Sequence, residues 1–452
     1  MSYSPHLRTA VLLTGSGTGG AYHAGVLRAL HEAGVKIDVM SGRGVGVAGA
    51  LFSAIDAAPR TWEEGGLWRR RPGVQLYQWR PALQWAAILA VTAIAMLAIP
   101  LVVLATGLIA YPLAFLVQMV NVDAGYRLAN AYAALIRDAF SPDVLPTIIP
   151  RAITIFLAAS FGVLAVSALA GRPQLDAPSR RDPGRWWTRL IGSPWSTEPA
   201  LRHFSALLWQ LFRGPAAARQ PPPAELGRRY AELLLDNLGQ PGFRELIVAT
   251  LDLETRIDLI FAGLRPDRRT AFFQRGRGDL IDLSGAGGNH VLDALGGALS
   301  IPVLTNPHPV AFSPESYWKG ETHRTSDRVA AVARLLHELH IAGVEQVIVV
   351  CADSDRAAPH RLGRPIGSLR ARVGEQLSAA EIAAVRDGVT AHRAQFRGVF
   401  LIQPAHNPIG PLDFAGTYDE RSDRFQGLGE LIDRGYEDAY RQFIEPVVGG
   451  GE

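Results

Sequence analysis

The sequence predicts an α/β fold of three layers, interrupted by an inserted transmembrane helical hairpin. Three observations lead there. Residues 9–55 read as strand, glycine loop, helix, strand, glycine turn and helix, the opening of an α/β sheet. The stretches Pro81–Val122 and Ala152–Ala170 hold no charged residue. After residue 222 the apolar runs shorten to strand length and alternate with helical patterns.

Taken in order, Thr9–Thr14 (TAVLLT) is a short apolar run stopped by Gly15, which predicts a buried strand. Gly15–Gly20 (GSGTGG) is a glycine loop. Ala21–Ala33 places Ala24, Leu27, Leu30 and Ala33 at helical spacing, and Gly34 closes it as a C-terminal cap. Asp38–Ser41 is a second strand, Gly42–Gly46 (GRGVG) a turn, and Val47–Ile55 a helix of small residues. In 56–80, Trp62, Trp68, Tyr77 and Trp79 alternate with arginines, as an interfacial belt requires.

A spanning helix needs about 20 apolar residues. The charge-free runs therefore predict one crossing within 83–120 and a second at 152–170, joined by an amphipathic linker, Asp123–Pro150. The number of crossings is even, because residues 1–55 and the strands after residue 240 must share one sheet. The outer flanks carry Arg69, Arg70, Arg71, Arg80, Arg172, Arg180, Arg181, Arg185 and Arg189. The intervening loop has Arg127, Arg137 and Arg151, offset by Asp123, Asp138 and Asp143. By the positive-inside rule the remaining domain faces the cytoplasm at the inner membrane.

Residues 173–222, rich in Pro, Arg and Trp (Trp186, Trp187, Trp195), read as a juxtamembrane linker. Then follow helix Pro223–Leu238, strands Glu245–Leu251 and Ile257–Gly263 as a hairpin, a proline-broken loop Leu299–Val310, helix Arg328–Ala342 and strand Gln346–Cys351. Ser378-Ala379-Ala380-Glu381 reads as a capping box for a helix to about Gln395. Val399–Gln403 is a last strand and Gly427–Phe443 a last helix. The expected divisions are 1–60, 61–80, 81–172, 173–222 and 223–452, the first and last forming one domain.

Across 452 residues the net charge is only +3, which excludes a strong global field for nucleic acid. Nearly all the positive charge is arginine, the lysines being Lys36 and Lys319. A single cysteine, Cys351, excludes a disulfide framework and a cysteine-built metal cluster. His337, Glu338 and His340 lack zinc spacing, so no metal ligand set is expected. No signal-peptide layout is present in Met1–Leu13.

The two glycine segments carry the chemistry. Leu12–Leu30 (LLTGSGTGGAYHAGVLRAL) and Asp38–Ala50, with Leu246–Thr255 (LIVATLDLET) and Ala298–Pro309, together resemble the patatin-like phospholipase family. The resemblance covers about 8–55 and 244–352 and skips the insert. It implies a patatin-like core in which a glycine loop, here Gly15, Ser16 and Gly17, offers backbone N–H donors as an oxyanion hole. It also implies a Gly-x-Ser-x-Gly elbow with the nucleophile, here Gly42 to Gly46, and a distant Asp-Gly-Gly/Ala base. Preorganised donors of this kind stabilise the oxyanion of acyl transfer by roughly 3 kcal/mol each.

The chain departs from that pattern three times. Gly44 stands at the nucleophile position, Gly19 at the usual basic residue of the loop, and Lys319-Gly320-Glu321 is the best match to the Asp-Gly motif. The expectation is a membrane-lipid-binding or acyl-binding protein without Ser–Asp hydrolysis and without a cofactor; protein partners stay open. Two alternatives remain. One is an active lipid acyl hydrolase with a displaced nucleophile, Ser41 in first place, with Ser16 and Ser53 behind it. The other is nucleotide binding, because Gly15-x-Gly17-x-x-Gly20 has dinucleotide spacing with Asp38 beyond it. A ligand loop is also expected after the last strand, at His406 and Asp413.

Overall fold

The computed structural model describes residues 3–69, 76–139, 148–170, 193–214, 219–275, 278–355 and 369–448. The expected flank arginines Arg70, Arg71, Arg172, Arg180, Arg181, Arg185 and Arg189, and Trp186 and Trp187, lie outside the described residues. The chain forms two compact units, Met1–Gln78 with Trp195–Glu452, and Trp79–Pro194.

Among the described residues the first unit is built on one sheet of nine strands. These are β1 (Thr9–Thr14), β2 (Val39–Gly42), β3 (Glu245–Asp252), β4 (Asp258–Gly263), β5 (Leu280–Asp282), β6 (His308–Ala311), β7 (Thr322–Ser326), β8 (Gln346–Cys351) and β9 (Gly398–Ile402). The order is β9-β8-β1-β2-β3-β4-β5, with β7 pairing to both β3 and β6. The five strands β9, β8, β1, β2 and β3 run parallel. Such strands are covered on both faces and read as continuous apolar runs, as TAVLLT and QVIVVC do.

Alternate residues divide between two cores. Val11, Leu13, Met40, Ile348 and Val350 share one with the helices α1 (Gly19–Glu32) and α2 (Gly46–Ala54). Ala10, Leu12, Val39, Val347 and Val349 share the other with Leu335 and Leu339 of the helix Ala331–Ile341. The result is a three-layered mixed α/β unit around a mostly parallel sheet.

Among the described residues the second unit holds four helices, where two crossings joined by a linker are expected: α3 (Pro81–Ala105), α4 (Gly107–Val120), α5 (Val122–Ala139) and α6 (Ile148–Ala170). The linker Asp123–Pro150 is largely α5, because its apolar and polar residues fall on opposite helical faces. Burial here is inverted. Among the described residues the buried ones are small (Ala86, Ala93, Gly107, Ala114, Gly125 and Ser160), and the Ser160 hydroxyl donates to the Ala86 carbonyl at 3.0 Å. The large apolar side chains Trp85, Ile88, Ile94, Leu108, Ile109, Met119, Ile155 and Phe161 are exposed. Among the described residues, no helix is long and apolar enough to cross a membrane.

Two further readings are corrected. The segment 173–222 is not all linker: α7 (Glu198–Arg213) buries Phe204 and Leu208 in the first core, because its apolar residues repeat at helical spacing. The capping box at Ser378 does not start a helix. The helix α8 (Leu369–His392) runs through it, and Ser378 donates instead to Asp353.

Candidate functional site

The parallel order places the ends of β1 and β8 at a topological switch point, where open sheets leave a crevice. Two glycine segments meet beside it. Gly15 (φ +145°) and Gly17 (φ +54°) lie in conformations that side chains disfavour, and so does Gly44 (φ +56°). The Val45 N–H donates to the Gly15 carbonyl at 2.9 Å, and the Arg43 N–H to the Leu13 carbonyl at 3.2 Å. A methyl group at Gly44 would overlap the Gly15 carbonyl oxygen. One at Gly46 would overlap Leu13, and one at Gly42 would press on Gly46 at 2.7 Å. The turn Gly42–Gly46 therefore fits against the first loop only because it is stripped to backbone.

A carboxylate that the sequence reading missed lies against the Gly42–Gly46 turn. Gly42 is level with Val248, so β3 overruns β2 by the residues up to Asp252. The other edge of β3 is taken by β4, so β7 adds to the vacant edge, with Leu251 opposite Ser326. The next residue, Asp327, is thereby delivered over the turn. A methyl group at Gly44 would stand 3.3 Å from Asp327 Oδ2. Lys319-Gly320-Glu321 lies instead in an exposed turn, where Glu321 receives His323 at 3.2 Å. What hid Asp327 is that Arg328 and Val329 follow it where glycines are expected.

Asp327 is engaged by a buried arginine. Arg43 is wholly buried; its Nε donates to Asp327 Oδ1 at 3.1 Å, its Nη2 pairs with Oδ2, and its Nη1 pairs with Glu381. Glu381 also receives the Thr14 hydroxyl. Burial disfavours the Arg43 charge, and the fields of Asp327 and Glu381 outweigh this and raise its pKa. Burial pushes Glu381 up to about 7 against the pull of Arg43, and Asp353 adds to the rise. Asp353 is itself raised by burial. One cation thus faces three carboxylates, of which Glu381 is poised to hold a proton.

The remaining candidates fall as follows. Ser41 lies on β2 with its hydroxyl buried and without a hydrogen-bond partner among the described residues, and so does Ser53 on α2. Ser16 is buried in the loop. Among the described residues neither the Ser41 nor the Ser53 hydroxyl is hydrogen-bonded to a base that could activate it. Gly19 begins α1, and a methyl group there would stand 3.1 Å from Ala352 Cβ. His23 on α1 donates from Nε2 to the Thr14 carbonyl at 3.0 Å, and burial, followed by Arg43, pushes its pKa down to about 4.

The nucleotide reading is corrected at Asp38. Its carboxylate accepts the Thr9 N–H at 2.9 Å, at the start of β1 and the opposite end of the sheet from Gly15–Gly20. The expected ligand loop also serves another purpose. His406 pairs with Asp419 at 3.1 Å, and Asp413 accepts the Gly410 N–H at 3.0 Å. Among the described residues no cluster of three or more His, Cys, Asp or Glu could hold a metal ion.

What the loop Gly15–Thr18 retains is donors. The Ser16, Gly17 and Gly44 N–H groups have no acceptor among the described residues, although all three residues are buried.

No protein-family model matches the chain. Over 62 residues, 14% of its length, it is 40% identical to patatin-like phospholipase domain-containing protein 6 of Mus musculus, and the same holds for the Homo sapiens protein. That stretch covers 5% and 4% of those much longer relatives. Among solved structures it is similar to VipD from Legionella pneumophila, at 11% identity over 99% of this chain and 68% of that one; the TM-score of 0.30 is too low to carry an argument. The comparisons thus support a local relation to patatin-like phospholipase domains.

Proposed function

We propose that this protein is a membrane-associated, patatin-like acyl-lipid-binding protein that does not hydrolyse esters through a Ser–Asp dyad. The observation that carries this is the Arg43–Asp327 pair beside Gly44. The nucleophile's side chain is absent, and the carboxylate that would serve it is neutralised by a buried cation. Removing one member of such a dyad abolishes covalent catalysis, and the oxyanion donors alone supply only binding and a small residual rate. The donors of Ser16, Gly17 and Gly44 suit an acyl carbonyl or carboxylate oxygen.

The membrane part of the proposal rests on the inverted burial of α3–α6. Large exposed apolar patches mark lipid or protein contact. The arginine-rich flanks favour the cytoplasmic face of the inner membrane. Two measurements test the proposal: flotation of the purified chain with phosphatidylglycerol vesicles, and turnover of short-chain p-nitrophenyl esters. Flotation without turnover is expected; a protein that stays at the bottom of the gradient, or turns over esters at enzyme-like rates, refutes it.

A further inference from the structure

We infer that the segment Asn407–Phe414 is an intramolecular plug, which places the chain's own Gly410–Pro411 peptide on the Gly15–Thr18 donor loop and holds the acyl site closed. The inference rests on the acyl-site reading of that loop given above. The Thr18 N–H donates to the Pro411 carbonyl at 2.8 Å, and the Thr18 hydroxyl to the Gly410 carbonyl at 2.8 Å. A methyl group at Gly17 would overlap the Pro411 carbonyl oxygen, so that carbonyl lies directly on the loop. Chemically it is the same kind of oxygen that an acyl group would present.

The segment is built to stay there. Ile409, Leu412 and Phe414 are buried in the first core. The Asn407 side chain ties both ends of the approach: its Nδ2 donates to the Ala352 carbonyl at 2.9 Å, at the end of β8, and its Oδ1 accepts the Ile409 N–H at 3.0 Å. Asp413 closes the turn by accepting the Gly410 N–H at 3.0 Å. Among the described residues the loop expected to bind ligand thus leaves the Ser16, Gly17 and Gly44 N–H groups unpaired and competes with ligand for the space against Gly17. If nine molecules in ten are closed, an acyl ligand binds about ten-fold more weakly than its intrinsic affinity.

The test uses the full chain, with dodecanoate as probe. Asn407→Ala removes the tie to β8 without touching the core, and Leu412→Ala with Phe414→Ala loosens the seat more strongly. Both are checked for folding by thermal melting. Hydrogen exchange reads the Thr18 amide, and calorimetry reads dodecanoate. The plug predicts that folded Asn407→Ala exchanges the Thr18 amide at least about ten-fold faster and binds dodecanoate correspondingly tighter. An unchanged Thr18 amide in both folded variants overturns the plug, whatever the ligand does. A freed Thr18 amide with no gain in dodecanoate affinity overturns the acyl-site reading and, with it, the regulatory role of the plug.

Discussion

Arg43 and Asp327 form a buried ion pair across the turn in which Gly44 leaves no side chain to be activated. The pair joins the second strand's exit to the end of β7, 284 residues apart in sequence. It therefore holds the two glycine segments and the β6–β7 excursion in register.

Breaking this pair should cost far more than a surface salt bridge. Arg43→Met leaves Asp327 and Glu381 buried without a cation, and a loss of about 3–5 kcal/mol is expected. Urea unfolding of the purified chain checks it. A loss under about 1 kcal/mol would show that water reaches the cluster.

The cluster also sets a pH dependence. Glu381 has an ordinary value of 4.5 and is raised to about 7 in the folded chain. The folded state therefore holds this proton more tightly than the unfolded state. The resulting stability is present below pH 4.5 and is lost as pH rises through about 7. Glu381→Gln imitates the protonated group, so its stability relative to the parent should increase between pH 5 and pH 8. Denaturation midpoints at both pH values decide this.

His23 acts in the opposite sense. Its value is lowered from 6.5 to about 4, so the unfolded chain takes up the proton first. Stability from this group is present above pH 6.5 and is lost as pH falls towards 4. Imidazole NMR shifts should show a neutral ring at pH 5; a midpoint near 6.5 would contradict the burial described.

Restoring a serine should not restore an enzyme. Gly44→Ser must adopt φ near +56° and overlap the Gly15 carbonyl, so a cost of about 1–3 kcal/mol from strain alone is expected. Asp327 remains tied to Arg43, so p-nitrophenyl butyrate turnover should stay at the buffer rate. Turnover well above it would mean that the pair opens readily.

Much of the sheet was legible in the sequence because its strands are fully buried and read as unbroken apolar runs; Gln346–Cys351 needs no adjustment. The two glycine segments were legible because a glycine between strand and helix has few other uses. The rest depended on distant partners. Nothing local to Asp327 announces that β3 overruns β2 and leaves an edge for β7. Glu381 reads as a capping residue until a helix through Ser378 turns it towards Arg43. Helix α7 was hidden in a stretch whose prolines and arginines resemble a linker. His406 and Asp413 read as a ligand loop, but His406 pairs with Asp419, Asp413 closes a turn, and the Gly410 and Pro411 carbonyls between them accept from Thr18.

The most direct measurement is labelling of the full chain in lipid vesicles with a fluorophosphonate probe, followed by peptide mass spectrometry. No serine should be modified at probe concentrations that saturate an active serine hydrolase. Stoichiometric modification of Ser16, Ser41 or Ser53 would show that a displaced nucleophile operates, and the non-hydrolytic reading would fall.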